Sequence, residues 1–165
     1  MDILNILNDL NIKYELLSHQ AVYTVEEAKQ IENMIEGVGC KNLFLKDKHK
    51  NYFIFVLEEN KRANLKELAN YLKVSKLSFA TSEELKVILN LEPGSVTPLS
   101  IINDKENLVT LILDQELNNN KILVHPNTNT KTVSLLFEDL IKFIEYTNHK
   151  YIIYKDWLYG FKRSI

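Results

Sequence analysis

Short helical and strand-like segments alternate along the whole chain, and this alternation limits the folds available to it. In three places a Thr or Asn is followed three positions later by Glu, an arrangement that caps the first turn of a helix. The three pairs are Thr24 with Glu27, Asn64 with Glu67, and Thr81 with Glu84. Between these helix starts, short apolar runs are joined by polar turns, which is typical of hairpins. The pattern favours a mixed α/β domain with a mostly antiparallel sheet covered by helices.

The apolar periodicity gives approximate bounds for the individual elements. Helices are predicted over residues 2–10, 24–33, 64–72, 81–90 and 137–144. Strands are predicted over residues 12–16, 42–46, 52–57, 99–102, 108–113, 121–125 and 132–135. Two glycines, Gly37 and Gly39, are expected to break the chain before the second strand, and Pro93-Gly94 is a turn signal.

Length and composition exclude several classes of protein. The chain has 165 residues and 45% hydrophobic residues, which suits one globular domain. Its only cysteine, Cys40, allows no internal disulfide and no multi-cysteine zinc site. No segment approaches the roughly 20 apolar residues of a membrane span, and no signal peptide is recognisable. We therefore expect a cytoplasmic protein without a membrane partner.

The charge balance argues against binding to long nucleic acids. The formal net charge is -2, whereas proteins that coat nucleic acid are usually strongly basic. Only Arg62 and Arg163 are arginines, and arginine is the side chain best suited to reading base pairs. DNA is therefore not expected as a partner, and any contact with RNA should be local.

Three segments, residues 39–45, 93–98 and 124–132, combine a glycine or proline with reactive or polar side chains. Taken singly, each has an ordinary explanation as a strand end or turn. The Gly37-x-Gly39 spacing lacks the third glycine of a dinucleotide-binding loop. Cys40 could be a nucleophile, although a lone cysteine is more often a small buried apolar residue.

In their order along the chain, these segments resemble the YbaK/ProX family of freestanding aminoacyl-tRNA deacylases, which are relatives of the editing domain inserted in bacterial prolyl-tRNA synthetases. The resemblance covers residues 1–147 and is closest to the prolyl-tRNA editing branch, which removes alanine wrongly attached to proline tRNA. It is carried by residues 22–28, 40–45, 61–65, 76–80, 94–98 and 125–132. It implies a single mixed domain with a central barrel-like sheet surrounded by helices, and hydrolysis without a metal or another cofactor.

The resemblance also implies roles for particular residues. Those implied for catalysis are Lys41, Asn42 and His125. Those implied for substrate binding are Gly94, Ser95, Val96, Thr97, Pro98, Val124 and Asn129. Whether His125 acts as a base or only shapes the pocket stays open, because the neutral imidazole permits either role.

The expected partner is the 3′ acceptor end of a mischarged tRNA, and prolyl-tRNA synthetase is a further candidate partner. The expected oligomeric state is a monomer or a weak homodimer. Four lysines are candidates for RNA contact: Lys46, Lys48, Lys50 and Lys131. The alternatives are a deacylase of other specificity, such as cysteinyl on proline tRNA, and a binding module that does not hydrolyse. Residues 148–165 form an aromatic tail outside the resemblance. We expect it to pack on the same domain, as an edge strand or a docked helix, with a partner contact as the alternative.

Overall fold

The computed structural model describes residues 2–155. Within them five α-helices form: α1 (Ile3–Asp9), α2 (Val25–Glu32), α3 (Leu65–Leu72), α4 (Ser82–Leu89) and α5 (Phe137–Tyr146). The same residues contain eight strands: β1 (Tyr14–Ser18), β2 (Val38–Lys46), β3 (Tyr52–Glu58), β4 (Ser78–Phe79), β5 (Val109–Asp114), β6 (Lys121–Val124), β7 (Lys131–Leu136) and β8 (Tyr151–Tyr154). A 3₁₀ helix over Pro98–Asn103 leads into the turn before β5.

The predicted helix starts are present. The side chain of Thr24 accepts a hydrogen bond from the main-chain N–H of Glu27, and Asn64 caps α3 in the same way. At α4 the box is complete, because the Glu84 side chain also accepts from the N–H of Thr81. Each cap satisfies an N–H that the first helical turn leaves without a partner.

The strands form one mixed sheet in the order β1-β7-β6-β2-β3-β5-β8, with β4 pairing to β2 off this path. In the described chain, β1–β7, β6–β7, β2–β3 and β2–β4 are antiparallel. The β2–β6, β3–β5 and β5–β8 pairs are parallel. The predicted mixed α/β class is confirmed.

Strand β3 lies inside the sheet, between β2 and β5, which explains its unbroken apolar run. Ile54 and Val56 point into the larger hydrophobic core, which also contains the phenylalanines of α5. Phe53, Phe55 and Leu57 point into a second core beneath α3. Alternate side chains of the strand therefore stabilise opposite faces of the sheet.

The edge of β2 that faces away from β3 is paired only at its two ends. It pairs with β6 at Val38 and Gly39, and with β4 at Leu45 and Lys46. Residues 40–44 have no strand partner on this edge within the described chain. The sheet therefore has a gap between the end of β6 and the short strand β4.

Several sequence predictions are wrong in detail. Residues 99–102 were expected to form a strand, but they lie in the 3₁₀ helix, because Pro98 occupies its first turn and Thr97 caps it. Gly39 does not break the chain but lies inside β2. Strand β4, only two residues long, was not predicted.

The beginning of the aromatic tail is ordered as β8, which pairs in parallel with β5. Trp157, Tyr159 and Phe161, which the sequence analysis also placed in this tail, lie outside the described residues. Among the helices of residues 2–155, none has the length and apolar character to cross a membrane.

Candidate active site

The gap in the sheet forms a cleft of about 430 Å³. It brings together five of the residues implied for catalysis or substrate binding: Lys41, Asn42, Gly94, Val96 and His125. Lys41 and Asn42 come from the unpaired part of β2, and His125 directly follows β6. The loop before the 3₁₀ helix contributes Gly94 and Val96. Three distant stretches of sequence therefore meet at one opening.

The ammonium group of Lys41 is the cationic feature of this cleft. Lys41 has no ion pair and no side-chain hydrogen bond to any residue of the described chain. By contrast, Lys46, five residues further along the same strand, is bound to Glu84 at 2.7 Å. Lys41 is therefore available to a negatively charged or carbonyl oxygen entering the cleft.

Asn42 offers unused hydrogen-bonding groups to the cleft. Its Nδ2 donates to the main-chain carbonyl of Val96 at 3.3 Å, while its Oδ1 is buried with no partner in the described chain. Ala80 donates its N–H to the carbonyl of Phe44 at 2.9 Å, on the unpaired edge of β2. The main-chain N–H and carbonyl groups of every second residue in a strand face the same edge. Because the Phe44 carbonyl faces the edge away from β3, the main-chain groups of Asn42 face that edge too, and therefore face the cleft.

The Pro93-Gly94 loop is a tight turn closed by a hydrogen bond from Ser95 N–H to the Glu92 carbonyl at 3.2 Å. Gly94 has φ +86, which favours glycine at the third position of such a turn. A Cβ placed on Gly94 would meet nothing within 4 Å. The turn thus needs glycine for its backbone conformation, and the space beside it stays open.

Other residues proposed for substrate binding do not line the cleft. Thr97 and Pro98 are buried, and Val124 belongs to the hydrophobic core. Ser95 and Asn129 are part-exposed, but neither lines the cleft. The structure therefore does not bring these five residues to the opening, which does not favour direct substrate contact for them.

Thr97 has a clear positioning role instead. Its hydroxyl donates to the main-chain carbonyl of His125 at 2.7 Å. This bond ties the loop that carries Gly94 to the end of β6. It fixes the separation of two walls of the cleft.

The tautomer of neutral His125 follows from its surroundings. Its Nδ1 lies 2.9 Å from the main-chain carbonyl of Lys131, which can only accept a hydrogen bond. Nδ1 therefore carries the proton, and Nε2 holds a lone pair. Nε2 has no hydrogen-bond partner among residues 2–155. His125 can thus accept a proton or hydrogen bond from a bound molecule.

A smaller cavity of about 100 Å³ adjoins the cleft. Cys40 and His125 line both spaces. The cavity is also bordered by Glu32 of α2 and by Glu59, just after β3. Gly39 allows these carboxyl groups to approach the strand, because a Cβ there would lie 2.8 Å from Glu59 Oε2 and would also collide with Glu32.

Burial raises the pKa of Glu32 to about 7, and a hydrogen bond to Glu59 together with its charge adds to this effect. Glu32 therefore retains its proton to a higher pH than an exposed glutamate does. Burial also raises the pKa of the Cys40 thiol to about 12, again with a contribution from the charge of Glu59. A thiol with so high a pKa is a poor nucleophile, which disfavours the cysteine alternative.

We expect Glu32→Gln to change how stability depends on pH. The folded protein retains a proton on Glu32 that the unfolded chain releases above its ordinary pKa of 4.5. This contribution is present at low pH and is lost as pH rises through about 7. Between pH 5 and pH 8 the Tm of the variant should fall less than the Tm of the wild type. An equal fall of Tm in both proteins would contradict the raised pKa of Glu32.

The four lysines proposed for RNA contact differ in availability. Lys46 Nζ donates to Glu84 at 2.7 Å, and the Tyr52 hydroxyl donates to the same carboxylate. Burial opposes ionisation of Glu84, but these bonds prevail and lower its pKa to about 2. Lys46 is therefore engaged in holding α4 to the sheet, whereas Lys48 and Lys50 are exposed in the β2–β3 turn. Lys131, the first residue of β7, is part-exposed.

Four residues near the site were not identified from sequence. His19 Nε2 lies 2.8 Å from the hydroxyl of Thr132, and its ring centroid is 6.5 Å from that of His125. Glu32 and Glu59 border the small cavity, and Phe79 lines the cleft. Each depends on contacts between distant segments, although Phe79 belongs to one of the segments that carried the family resemblance.

Comparisons with known proteins identify the family of the chain. Residues 19–143 match the family model described as the aminoacyl-tRNA editing domain. The prolyl-tRNA editing protein ProX of Acetoanaerobium sticklandii is 38% identical over 143 residues, covering 84% of this chain and 86% of that protein. The prolyl-tRNA synthetase associated domain-containing protein 1 of Danio rerio is 37% identical over 150 residues, covering 89% and 82%.

The fold is shared with a solved protein described as a candidate trans-editing enzyme for prolyl tRNA synthetase. The TM-score is 0.71 at 18% identity, over 94% of this chain and 95% of that one. The family model and the curated relatives place the chain in the class of aminoacyl-tRNA deacylases. The chain belongs to the aminoacyl-tRNA editing domain family, and the resemblance to the YbaK/ProX proteins is confirmed.

Proposed function

We propose that the chain is a trans-editing hydrolase that cleaves the ester joining alanine to proline tRNA. Membership of the editing family supports hydrolysis of an aminoacyl ester. The relative from Acetoanaerobium sticklandii is named as a prolyl-tRNA editing protein, which supports proline tRNA as the RNA. The observation that carries the proposal is the unpaired ammonium of Lys41 in a cleft that also contains His125 and the Gly94 turn.

The chemistry requires only water, a positioned ester and stabilisation of charge. Water attacks the carbonyl carbon of the ester, and the bond to the ribose oxygen of the terminal adenosine breaks. Alanine leaves as the carboxylic acid, and the ribose recovers its hydroxyl. In the tetrahedral intermediate the carbonyl oxygen becomes negative, so donors fixed in advance around it lower the barrier.

The unpaired edge of β2 can supply those donors. The main-chain N–H of Asn42 faces the cleft, since Phe44 on the same edge bonds to Ala80. The ammonium of Lys41 provides charge to the carbonyl or to the adjoining phosphate. The buried Asn42 Oδ1, which lacks a partner in the described chain, can accept a hydrogen bond from the substrate. The strand holds these groups in fixed positions, so they need little rearrangement in the reaction.

His125 and the ribose of the substrate are suited to placing the water. Nε2 of His125 is an acceptor in the tautomer set by the Lys131 carbonyl. The free ribose hydroxyl beside the ester can orient the water, so part of the catalysis comes from the substrate itself. This arrangement needs no acyl-enzyme intermediate and makes no use of the Cys40 thiol.

Selection of alanine over proline rests on the adjoining cavity. The cavity of about 100 Å³ shares two lining residues, Cys40 and His125, with the cleft. We infer that it receives the methyl side chain of alanine, whereas the proline ring is larger and is bonded to its own nitrogen. A synthetase site built for proline cannot strongly exclude alanine, so a second hydrolytic site that favours the smaller side chain restores fidelity.

A panel of aminoacylated tRNAs tests the proposed function. The purified chain should deacylate alanine on proline tRNA and leave proline on proline tRNA intact. Alanine on alanine tRNA should react more slowly, because the acceptor end is read as well. Rapid loss of cysteine but not alanine from proline tRNA would transfer the assignment to the cysteinyl specificity. Binding without hydrolysis of any member would refute the enzymatic proposal.

A further inference from the structure

Phe79 is a large apolar side chain left in solvent at the mouth of the cleft. The residue is 60% exposed, and its side chain lines the cleft that contains Lys41 and His125. The other strongly exposed aromatic residues of the described chain, Tyr23, Tyr71 and Tyr146, do not line this cleft. An exposed aromatic ring beside a polar site is a typical contact surface for a flat ligand.

The backbone beneath the ring is firmly held. Phe79 lies opposite Leu45 in the β2–β4 pair, and the next residue, Ala80, bonds to the Phe44 carbonyl at 2.9 Å. The capping box at Thr81 follows immediately, and Glu84 of that box is tied to Lys46 at 2.7 Å. The ring is therefore presented by a fixed strand and not by a loose loop. It has no ring contact with another aromatic residue of the described chain.

The spacing along β2 suits a nucleoside. Lys41 and Leu45, the residue opposite Phe79, are four positions apart on one strand. At ~3.3 Å per residue their Cα atoms are separated by roughly 13 Å. A nucleoside fits this distance when the Lys41 side chain contacts one end of it and the Phe79 side chain contacts the other. A base on the Phe79 ring would leave its ribose near Asn42.

We propose that Phe79 is the stacking platform for the adenine base of the terminal adenosine of the tRNA. The inference rests on the proposed function, because that substrate places a nucleobase next to the ester. A nucleobase has an extended π face, and an aromatic ring supplies a matching surface without requiring hydrogen bonds. Stacking there holds the ribose ester over the unpaired edge of β2.

Fluorescence of an uncharged RNA tests the stacking directly. The probe is an acceptor-stem hairpin of proline tRNA in which 2-aminopurine replaces the terminal adenine. Wild-type chain should quench the probe, and Phe79→Tyr should preserve the quenching. Phe79→Leu, which keeps an apolar side chain but removes the ring, should lose the quenching and weaken binding about 10-fold. Tyr146→Leu, a change at a 50% exposed aromatic residue outside the cleft, is the matched control and should behave as wild type.

Kinetics with alanine on proline tRNA provide the second readout. Phe79→Leu should raise KM about 10-fold, with most of the loss of kcat/KM in KM. Equal quenching by wild type and Phe79→Leu would overturn the proposal. So would a change of sedimentation in Phe79→Leu with unchanged RNA binding, since the ring would then belong to a protein interface. Quenching without hydrolysis by the wild type would retain the platform and refute the proposed activity, so the two failures are distinguishable.

Discussion

Replacement of Lys41 by alanine should lower the rate of alanine release from mischarged proline tRNA by at least about 100-fold. Lys41 is part-exposed and has no ion pair in the described chain, so its removal leaves no buried charge without a partner. The loss should therefore appear in the reaction and not in folding. Single-turnover deacylation, followed with labelled alanine, measures the effect.

Lys105→Ala is the matched control for this prediction. Lys105 is an exposed lysine in the turn before β5, outside the cleft and outside the set proposed for RNA contact. Its loss should change the deacylation rate by no more than a few-fold. A Lys41→Ala protein with wild-type thermal unfolding and wild-type activity would contradict the assigned role of the ammonium group.

Asp104→Ala should cost about 3–5 kcal/mol of the free energy of unfolding, because it removes two buried hydrogen bonds to a carboxylate. His149 Nε2 lies 2.9 Å from Asp104 Oδ2, and the two side chains are 1% and 2% exposed. The same carboxylate oxygen accepts from the N–H of Val109 at 2.9 Å, where β5 begins. The pair thus fastens the turn before β5 to the segment that leads into β8. Urea unfolding of the variant and the wild type measures the difference.

The pH dependence of this difference in unfolding free energy distinguishes the effect of the Asp104 charge from the effect of its packing. Burial alone would raise the pKa of Asp104, but the hydrogen bonds from His149 and from the main chain outweigh burial and hold this pKa below its ordinary value. The stabilisation is therefore present above the ordinary carboxyl pKa and is lost as pH falls through the lowered one. The wild-type advantage should shrink in acid. Glu106→Ala, at an exposed position, should stay within about 0.5 kcal/mol of wild type, and an equally small effect for Asp104→Ala would refute the pair's importance.

Features set by neighbouring residues could be predicted from the sequence. The starts of α2, α3 and α4 follow from side chains that bond to an N–H three residues away. The misassigned strand at residues 99–102 shows the limit of this reasoning. Its apolar run was read as a strand, whereas a local cap at Thr97 and the fixed φ of Pro98 start a 3₁₀ helix.

The shape of the site could not be predicted in this way. The cleft exists because β6 and β4 pair with opposite ends of β2, and both pairings join distant parts of the chain. Lys41 and His125 were identified only through their family resemblance, since either residue alone is ordinary. The Glu32–Glu59 pair gave no such signal, because its significance depends on what packs against Gly39. Phe79 lies in a segment that carried the resemblance, but the sequence does not show that its ring is exposed.

The most direct test of the central claim maps where the aminoacyl end binds. The ligand is 3′-alanylamino-3′-deoxyadenosine, in which an amide replaces the ester and cannot be cleaved readily. We predict that its largest effects on backbone amide NMR shifts fall on residues 40–44, on Gly94 and Val96, and on His125. Shifts confined to the separate cleft around Phe53, Leu72 and Tyr151, with none along the unpaired edge of β2, would contradict the account.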